Sequence, residues 1–308
     1  MCKMKTIKVD FCDQWDGFDR ENNDIVNDLR KYYNVQISST PDFVFCGSNL
    51  KWECMNYSCV RILITNENRI PDFNIYDFGA SSIYMTFGER YFRKPVNFLT
   101  PKILQVSNDP TLLKRRFCNF IYNNQKFPGT KIRNDFCKML SQYKMVDCPG
   151  RVLHNIDCPE LAPRNGDWKN SKQRFLEKYK FTIAFENSIA PGYTTEKLVQ
   201  PFYAHSIPIY WGNPLVSKEF NQKAFIDCNE YDNDLHTVIE RVKELDNDDD
   251  AYLEMLSQKP VLDEYEFDSK DRFVKWLCFI IDRGNVPFDK GYMYNFYERF
   301  LSYARTFQ

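Results

Sequence analysis

The feature that most limits what this chain can fold into is a repeated alternation of two patterns. Short apolar runs, each the length of one strand, are followed by stretches with helical apolar spacing. In the first half the runs are Ile7–Phe11, Val35–Ser38, Phe43–Cys46 and Val60–Thr65, and the helical stretches are Asp24–Lys31, Leu112–Asn123 and Ile132–Tyr143. In the second half the runs are Phe181–Phe185, Ile207–Trp211 and Phe225–Asp227. The helical stretches there are Lys172–Tyr179, Thr195–His205, Asp234–Leu245, Asp250–Gln258, Asp271–Asp282 and Tyr292–Thr306. Strands alternating with helices imply parallel sheets covered on both faces, an α/β fold. Two such series, in 308 residues, imply two doubly wound domains. The stretch CPGRVLHNIDCPELAPRNGDW is rich in Pro, Gly and Asn and reads as the linker between them. The expected division is residues 1–150 and 151–308.

Charge and cysteine usage exclude several classes. A net charge of −1 implies no basic surface for a nucleic-acid polymer, while leaving room for the few cations a small phosphate ligand needs. The 11 cysteines are odd in number, with no C-x-x-C, and read as free thiols of a reducing compartment. The start MCKMKTIKVD is too polar for a signal peptide. The run Trp276–Ile281 falls far short of the ~18 apolar residues of a membrane span. The expected location is the cytoplasm.

Chemistry-bearing residues concentrate in FTIAFENSIAPGYTTEKLVQPFYAHSIPIYWGNP, Phe181–Pro214. A strand runs into a polar loop, then into a helix opened by Thr194 or Thr195, then into a second strand. Ligands of open α/β sheets bind beyond the carboxyl ends of strands. A helix N-terminus there offers free N–H groups and a partial positive charge suited to phosphate. Lys197 in the first turn adds a full charge. Glu196 beside it either soothes the helix dipole or accepts hydrogen bonds from ligand hydroxyls. Asn187 and Tyr193 are loop residues that alone would signal only a turn former and a surface ring.

The string FENS…GYTTEK followed by PIYWGNP resembles the donor-site signature of the α1,3/α1,4-fucosyltransferase family, especially its bacterial members. A second stretch, ITNENRIPDFNIYDFGASSIYMTFGERYFRKP (Ile64–Pro95), resembles the family's T-G-E-N…P-x-F-N…D-Y…D-R-Y-x-R-x-P segment. LLKRRFCNFIY and KIRNDF resemble the block between them. The resemblance implies the GT-B architecture, two Rossmann-like domains with a cleft between them. It implies GDP-β-L-fucose as donor, a glycan acceptor, inversion at the anomeric carbon, and no cofactor or metal. α1,3 transfer to the GlcNAc of a Lewis-type Gal-GlcNAc unit is the family expectation. Carried over residue by residue, Glu67 would be the general base, and Arg133 and Lys197 would hold the diphosphate in a solvent-accessible cleft. Asn187, Tyr193 and Glu196 would line the nucleotide and fucose pocket. Trp15 and Asp16, in DQWD after the first strand, are acceptor-side candidates, with Asp13 or Asp16 next in line as base. The last helix is free to pack back on the N-terminal domain.

Three departures stand out. Asn66 occupies the position of the family's Gly, Pro201 interrupts the helix after Lys197 and predicts a kink, and Leu99–Asn108 is shorter than in the bacterial members. Two other readings remain at this point. One is a metal-dependent glycosyltransferase using an Asp-x-Asp, for which Asp232–Asp234, Asp246–Asp248 and Asp248–Asp250 qualify by spacing but sit where Asp caps helices. The other is a sugar-nucleotide or glycan-binding protein without catalysis, which would need no residue in the role of Glu67.

Overall fold

The computed structural model describes residues 4–49, 51–127, 129–163, 166–264 and 269–289. The expected helix Tyr292–Thr306 lies outside them. The chain divides into two compact units, Met1–Val96 with Asp268–Gln308, and Asn97–Phe267.

The first unit is built on six parallel strands: β1 (Thr6–Cys12), β2 (Asn34–Ile37), β3 (Phe43–Cys46), β4 (Val60–Ile64), β5 (Phe78–Ser81) and β6 (Tyr91–Arg93), in the order β2-β1-β3-β4-β5-β6. Helix α1 (Asp24–Leu29) starts where Asn23 accepts a hydrogen bond from the Val26 N–H, a side-chain cap worth about 1 kcal/mol. β5 and β6 went unpredicted. They are short and broken by Gly79 and Arg93, so neither produces a recognisable apolar run.

The second unit has five parallel strands. They are β7 (Arg116–Asn119), β8 (Val146–Asp147), β9 (Tyr179–Phe185), β10 (Ile207–Trp211) and β11 (Ile226–Asp227), ordered β11-β10-β9-β7-β8. Every residue of β9 and β10 is buried because both faces are covered. Phe181, Ile183 and Phe185 meet α2 (Thr130–Tyr143), α5 (Leu235–Asn247) and α6 (Asp249–Leu256) on one face. Ala184 and Tyr210 meet α4 (Glu196–Tyr203) on the other, through Leu198, Val199 and Phe202. At about 1.5–3 kcal/mol per fully buried large apolar side chain, these rings dominate the unit's stability. Helix α3 (Trp168–Leu176) covers Tyr179 through Phe175 and Leu176.

Two expectations are corrected here. Leu112–Asn123 is not a helix: a 3-10 turn over Pro110–Lys114 leads into β7, which pairs with β8 and β9. RFCNFIY is aromatic and β-branched, and the two flanking strands supply hydrogen-bond partners that a helix would not need. The boundary lies after Val96 rather than at 150. The Pro/Gly-rich stretch 148–168 joins β8 to α3 within one unit, since β7 and β8 belong to the sheet of β9.

The chain returns to the first unit with α7 (Ser269–Arg283). There Lys270 pairs with Asp28 at 3.2 Å, the Tyr33 hydroxyl donates to the Cys278 carbonyl, and Trp276 donates to the Glu89 carbonyl. The Asp-x-Asp triplets are structural. Asp234 and Asp248 are N-caps, accepting from the His236 and Ala251 N–H groups. Asp246 is buried between Lys144 and Lys180 at 3.0 and 3.1 Å. All ten described cysteines are free thiols, and among the described residues no helix is long and apolar enough to cross a membrane.

Candidate active site

In the second unit the polar residues converge past the carboxyl end of β9. Glu186, the first residue beyond that strand, is completely buried. Its carboxylate accepts from the Thr195 N–H at 2.7 Å, the Thr195 hydroxyl at 2.8 Å and the Lys197 ammonium at 3.1 Å. Burial pushes the Glu186 carboxyl up, and Lys197 and the Thr195 hydrogen bonds oppose the shift. Lys197 sits above its ordinary range despite its burial, because Glu186 and Glu196 outweigh desolvation. Burial alone would raise Glu196; Lys197 and Lys172 more than offset it and hold it below the usual carboxylate range. Thr195 is the N-cap of α4, accepting from the Lys197 N–H. One carboxylate, itself absent from the list of candidates, thus sets both the start of α4 and the position of its cation. The signal in the sequence was an acid placed directly after a strand, two residues past Ala184 on the face that also carries Lys180 and Thr182.

Space around Glu186 leaves no room for a side chain at 212. A Cβ on Gly212 would lie 2.5 Å from the Glu186 Cγ and 2.9 Å from the Tyr210 hydroxyl. Gly212→Ala is expected to destabilise the protein by about 1–3 kcal/mol, the cost of overpacking a filled interior. Thermal unfolding checks it, and an unchanged Tm would contradict this packing. Next to it, Asn213 accepts from the Gly192 N–H at 2.8 Å and donates to the Thr194 hydroxyl at 3.0 Å, tying the polar loop to β10.

Arg133 comes from the first turns of α2. The expected open, solvent-facing guanidinium is corrected: Arg133 is 0% exposed. It lies over the Tyr122 ring, 4.2 Å from the centroid, and donates to the Asn187 side-chain oxygen at 3.0 Å and to the Asn124 carbonyl. None of these partners is an anion. Among the described residues, its Nε and the neighbouring Thr130 hydroxyl are buried without a partner. The first turn of α2 carries no acid, and its N-cap, Gly129, offers no side chain. Burial holds the guanidinium below its usual range. A buried cation with only neutral acceptors is costly unless an anion completes it. The positive end of α2 adds to the same field. Gly129 itself must be small, since a Cβ would meet the Glu186 and Asn187 carbonyl oxygens at 2.7 and 2.8 Å.

Of the donor-side candidates, Arg133, Asn187, Glu196 and Lys197 gather around this one strand end, with Asn187 acting as the orienter of Arg133. Tyr193 is 2% exposed, and its carbonyl accepts from the Tyr210 hydroxyl. It is part of the packed loop rather than a surface ring. The helix after Lys197 ends at Tyr203, two residues past Pro201.

The remaining candidates belong to the first unit. Glu67 is exposed in the loop after β4, its N–H donating to the Thr65 hydroxyl at 3.0 Å. Trp15 is 64% exposed and stands edge-on to Phe18. Asp16 is exposed and pairs with Lys51 at 3.3 Å. Asp13 is corrected: it is 2% exposed, and its two carboxylate oxygens accept from the Glu53 and Cys54 N–H groups. It anchors a 3-10 turn and has no freedom to act as a base.

Two parallel-sheet units, one with a strand end that gathers two cations, a buried acid and a helix N-terminus, fit the GT-B class of α/β folds. Residues 9–100 match the alpha-(1,3)-fucosyltransferase FucT N-terminal domain, and residues 113–283 match the C-terminal part of glycosyltransferase family 10 (fucosyltransferase). The chain belongs to glycosyltransferase family 10. It is 31% identical over 278 residues to an alpha-(1,3)-fucosyltransferase FucT of Helicobacter pylori, covering 76% of this chain and 55% of that protein. It is 38% identical over 105 residues to alpha-(1,3)-fucosyltransferase B of Drosophila melanogaster, covering 33% and 24%. The chain thus spans about half or less of the curated relatives' length. A crystal structure of an alpha1,3-fucosyltransferase matches with a TM-score of 0.76 at 25% identity, covering 94% of this chain and 93% of that one. An alpha1,3-fucosyltransferase crystallised with GDP-fucose matches with a TM-score of 0.72 at 26% identity, covering 91% and 92%.

Proposed function

We propose that this chain transfers L-fucose from GDP-β-L-fucose, with inversion, to a hydroxyl of an acceptor glycan. The favoured product is an α1,3 linkage to the GlcNAc of a Gal-GlcNAc unit, as in Lewis-type glycans. The observation that carries the reading is Arg133, a buried cation whose partners among the described residues are all neutral, together with Lys197 at the start of α4. A nucleoside diphosphate supplies the missing anion. Its likeness to alpha1,3-fucosyltransferases crystallised with GDP and with GDP-fucose supports guanosine as the nucleoside and fucose as the sugar.

The reaction is a single displacement. Glu67 takes the proton of the acceptor hydroxyl, whose oxygen attacks the anomeric carbon. The bond from that carbon to the diphosphate oxygen breaks, and GDP leaves with the electron pair. Arg133, Lys197 and the N–H groups of α4 meet the charge that develops on GDP, the role a metal ion plays in other transferases. The proposed site is the cytoplasm, in keeping with ten free thiols.

The test incubates the protein with GDP-fucose and a panel of acceptors, measures GDP release and maps the product linkage. Fucose appearing on O3 of GlcNAc supports the reading; no GDP release with any acceptor overturns it. Binding gives an independent check. GDP and GDP-fucose are expected to raise Tm alike, because a ligand that binds only the folded state stabilises it by mass action. UDP is expected to do little, and equal stabilisation by UDP would remove the donor assignment. Activity is expected to persist in EDTA.

A further inference from the structure

Asn66 directly precedes Glu67 in the loop after β4. Its side-chain oxygen accepts a hydrogen bond from the Lys94 ammonium at 2.8 Å. Lys94 directly follows β6 and is only 8% exposed. Its N–H donates to the Ser81 carbonyl at the end of β5, and its ammonium also donates to the Pro95 carbonyl. The order β4-β5-β6 places β5 between the two residues. The Lys94 side chain therefore reaches past the end of β5, over two strand spacings of about 4.8 Å each, to the loop after β4.

The loop needs such a hold. Asn66 and Glu67 are exposed, and beyond the strand the backbone N–H of Glu67 is satisfied by Thr65 alone. A glycine at 66 would have no side chain for the Lys94 ammonium to hold. A buried ammonium is an expensive anchor, and it is rigid because it cannot leave without losing its partners.

We infer that Lys94 is a positioning residue: its hydrogen bond to Asn66 fixes the turn that presents Glu67 to the acceptor hydroxyl. The inference rests on the reading of Glu67 as general base. A base displaced by about 1 Å loses on the order of 10²-fold in rate, so loss of one hydrogen bond that only loosens the turn is expected to cost about 10-fold.

The experiment measures transfer kinetics for Lys94→Met, Asn66→Gly and the double variant, with Glu67→Gln alongside. Lys94→Met and Asn66→Gly are each expected to lower kcat about 10-fold and to leave the KM for GDP-fucose unchanged. The double variant is expected to be no slower than Lys94→Met, because both single changes remove the Lys94–Asn66 hydrogen bond and Lys94→Met loses the Pro95 contact besides. If Lys94→Met fails to fold, Asn66→Gly decides alone, since it alters an exposed loop side chain. Wild-type kcat in Asn66→Gly, or rate losses that multiply in the double variant, would overturn the inference. Full activity in Glu67→Gln would instead overturn the assignment of the base.

Discussion

Glu67→Gln is expected to slow transfer by about 10²–10⁴-fold, the range for a positioned proton acceptor, while leaving GDP-fucose affinity and Tm unchanged. Among the described residues the Glu67 carboxylate has no hydrogen-bond or ion-pair partner, and the loop is held instead through Thr65 and Asn66. Glutamine keeps the shape and a polar tip, so nothing in the first unit has to rearrange. The proposed donor residues Arg133, Asn187, Glu196 and Lys197 all belong to the second unit, which is why binding of GDP-fucose should not respond. A Glu67→Gln protein within a few-fold of wild-type rate would place the base elsewhere. Asp16 is then the next candidate, because Asp13 is locked by two backbone N–H groups.

Arg133→Met is expected to weaken GDP and GDP-fucose by about 10²-fold, with a matching fall in transfer, and to leave the unliganded protein as stable as wild type or more so. A charge-assisted hydrogen bond to an anion is worth about 1.5–3 kcal/mol, and the upper figure corresponds to roughly 10²-fold in affinity. The stability side follows from burial. The guanidinium sits on the Tyr122 ring with neutral acceptors and, among the described residues, no partner at Nε, so no protein anion compensates its charge. Methionine fills similar volume without that charge, and such replacements are often neutral or stabilising. Thermal unfolding with and without GDP separates the two effects: the ligand-induced rise in Tm should be lost while the baseline holds. A variant that keeps the full GDP-induced rise would mean the diphosphate is held without Arg133. A collapsed baseline would mean that Arg133 stabilises the apo fold.

What the sequence settled by itself was local. Phe43–Cys46 and Ile207–Trp211 are strands with the bounds that their apolar runs and flanking polar residues indicate. Thr195 caps the helix that carries Glu196 and Lys197, because a threonine ahead of a helical stretch leaves its hydroxyl free for the first N–H groups. The motif around Phe181–Pro214 was legible for the same reason: strand, loop and helix start are adjacent in the chain. Tertiary structure decided whatever depends on partners far away. Arg116–Asn119 is a strand because β8 and β9 flank it, and that pairing moved the unit boundary from 150 to 96. Whether Arg133 is open or sealed depended on Asn187, 54 residues later, and on a tyrosine ring beneath it. Asp13 turned from a candidate base into an anchor because a turn 40 residues on presents two N–H groups to it. Glu186 drew no notice in the sequence, yet it receives Thr195 and Lys197 once the chain has closed the loop between them. A side chain's type and spacing are written locally. Its desolvation and its hydrogen-bond partners, which set its charge and its role, exist only after distant segments have packed around it.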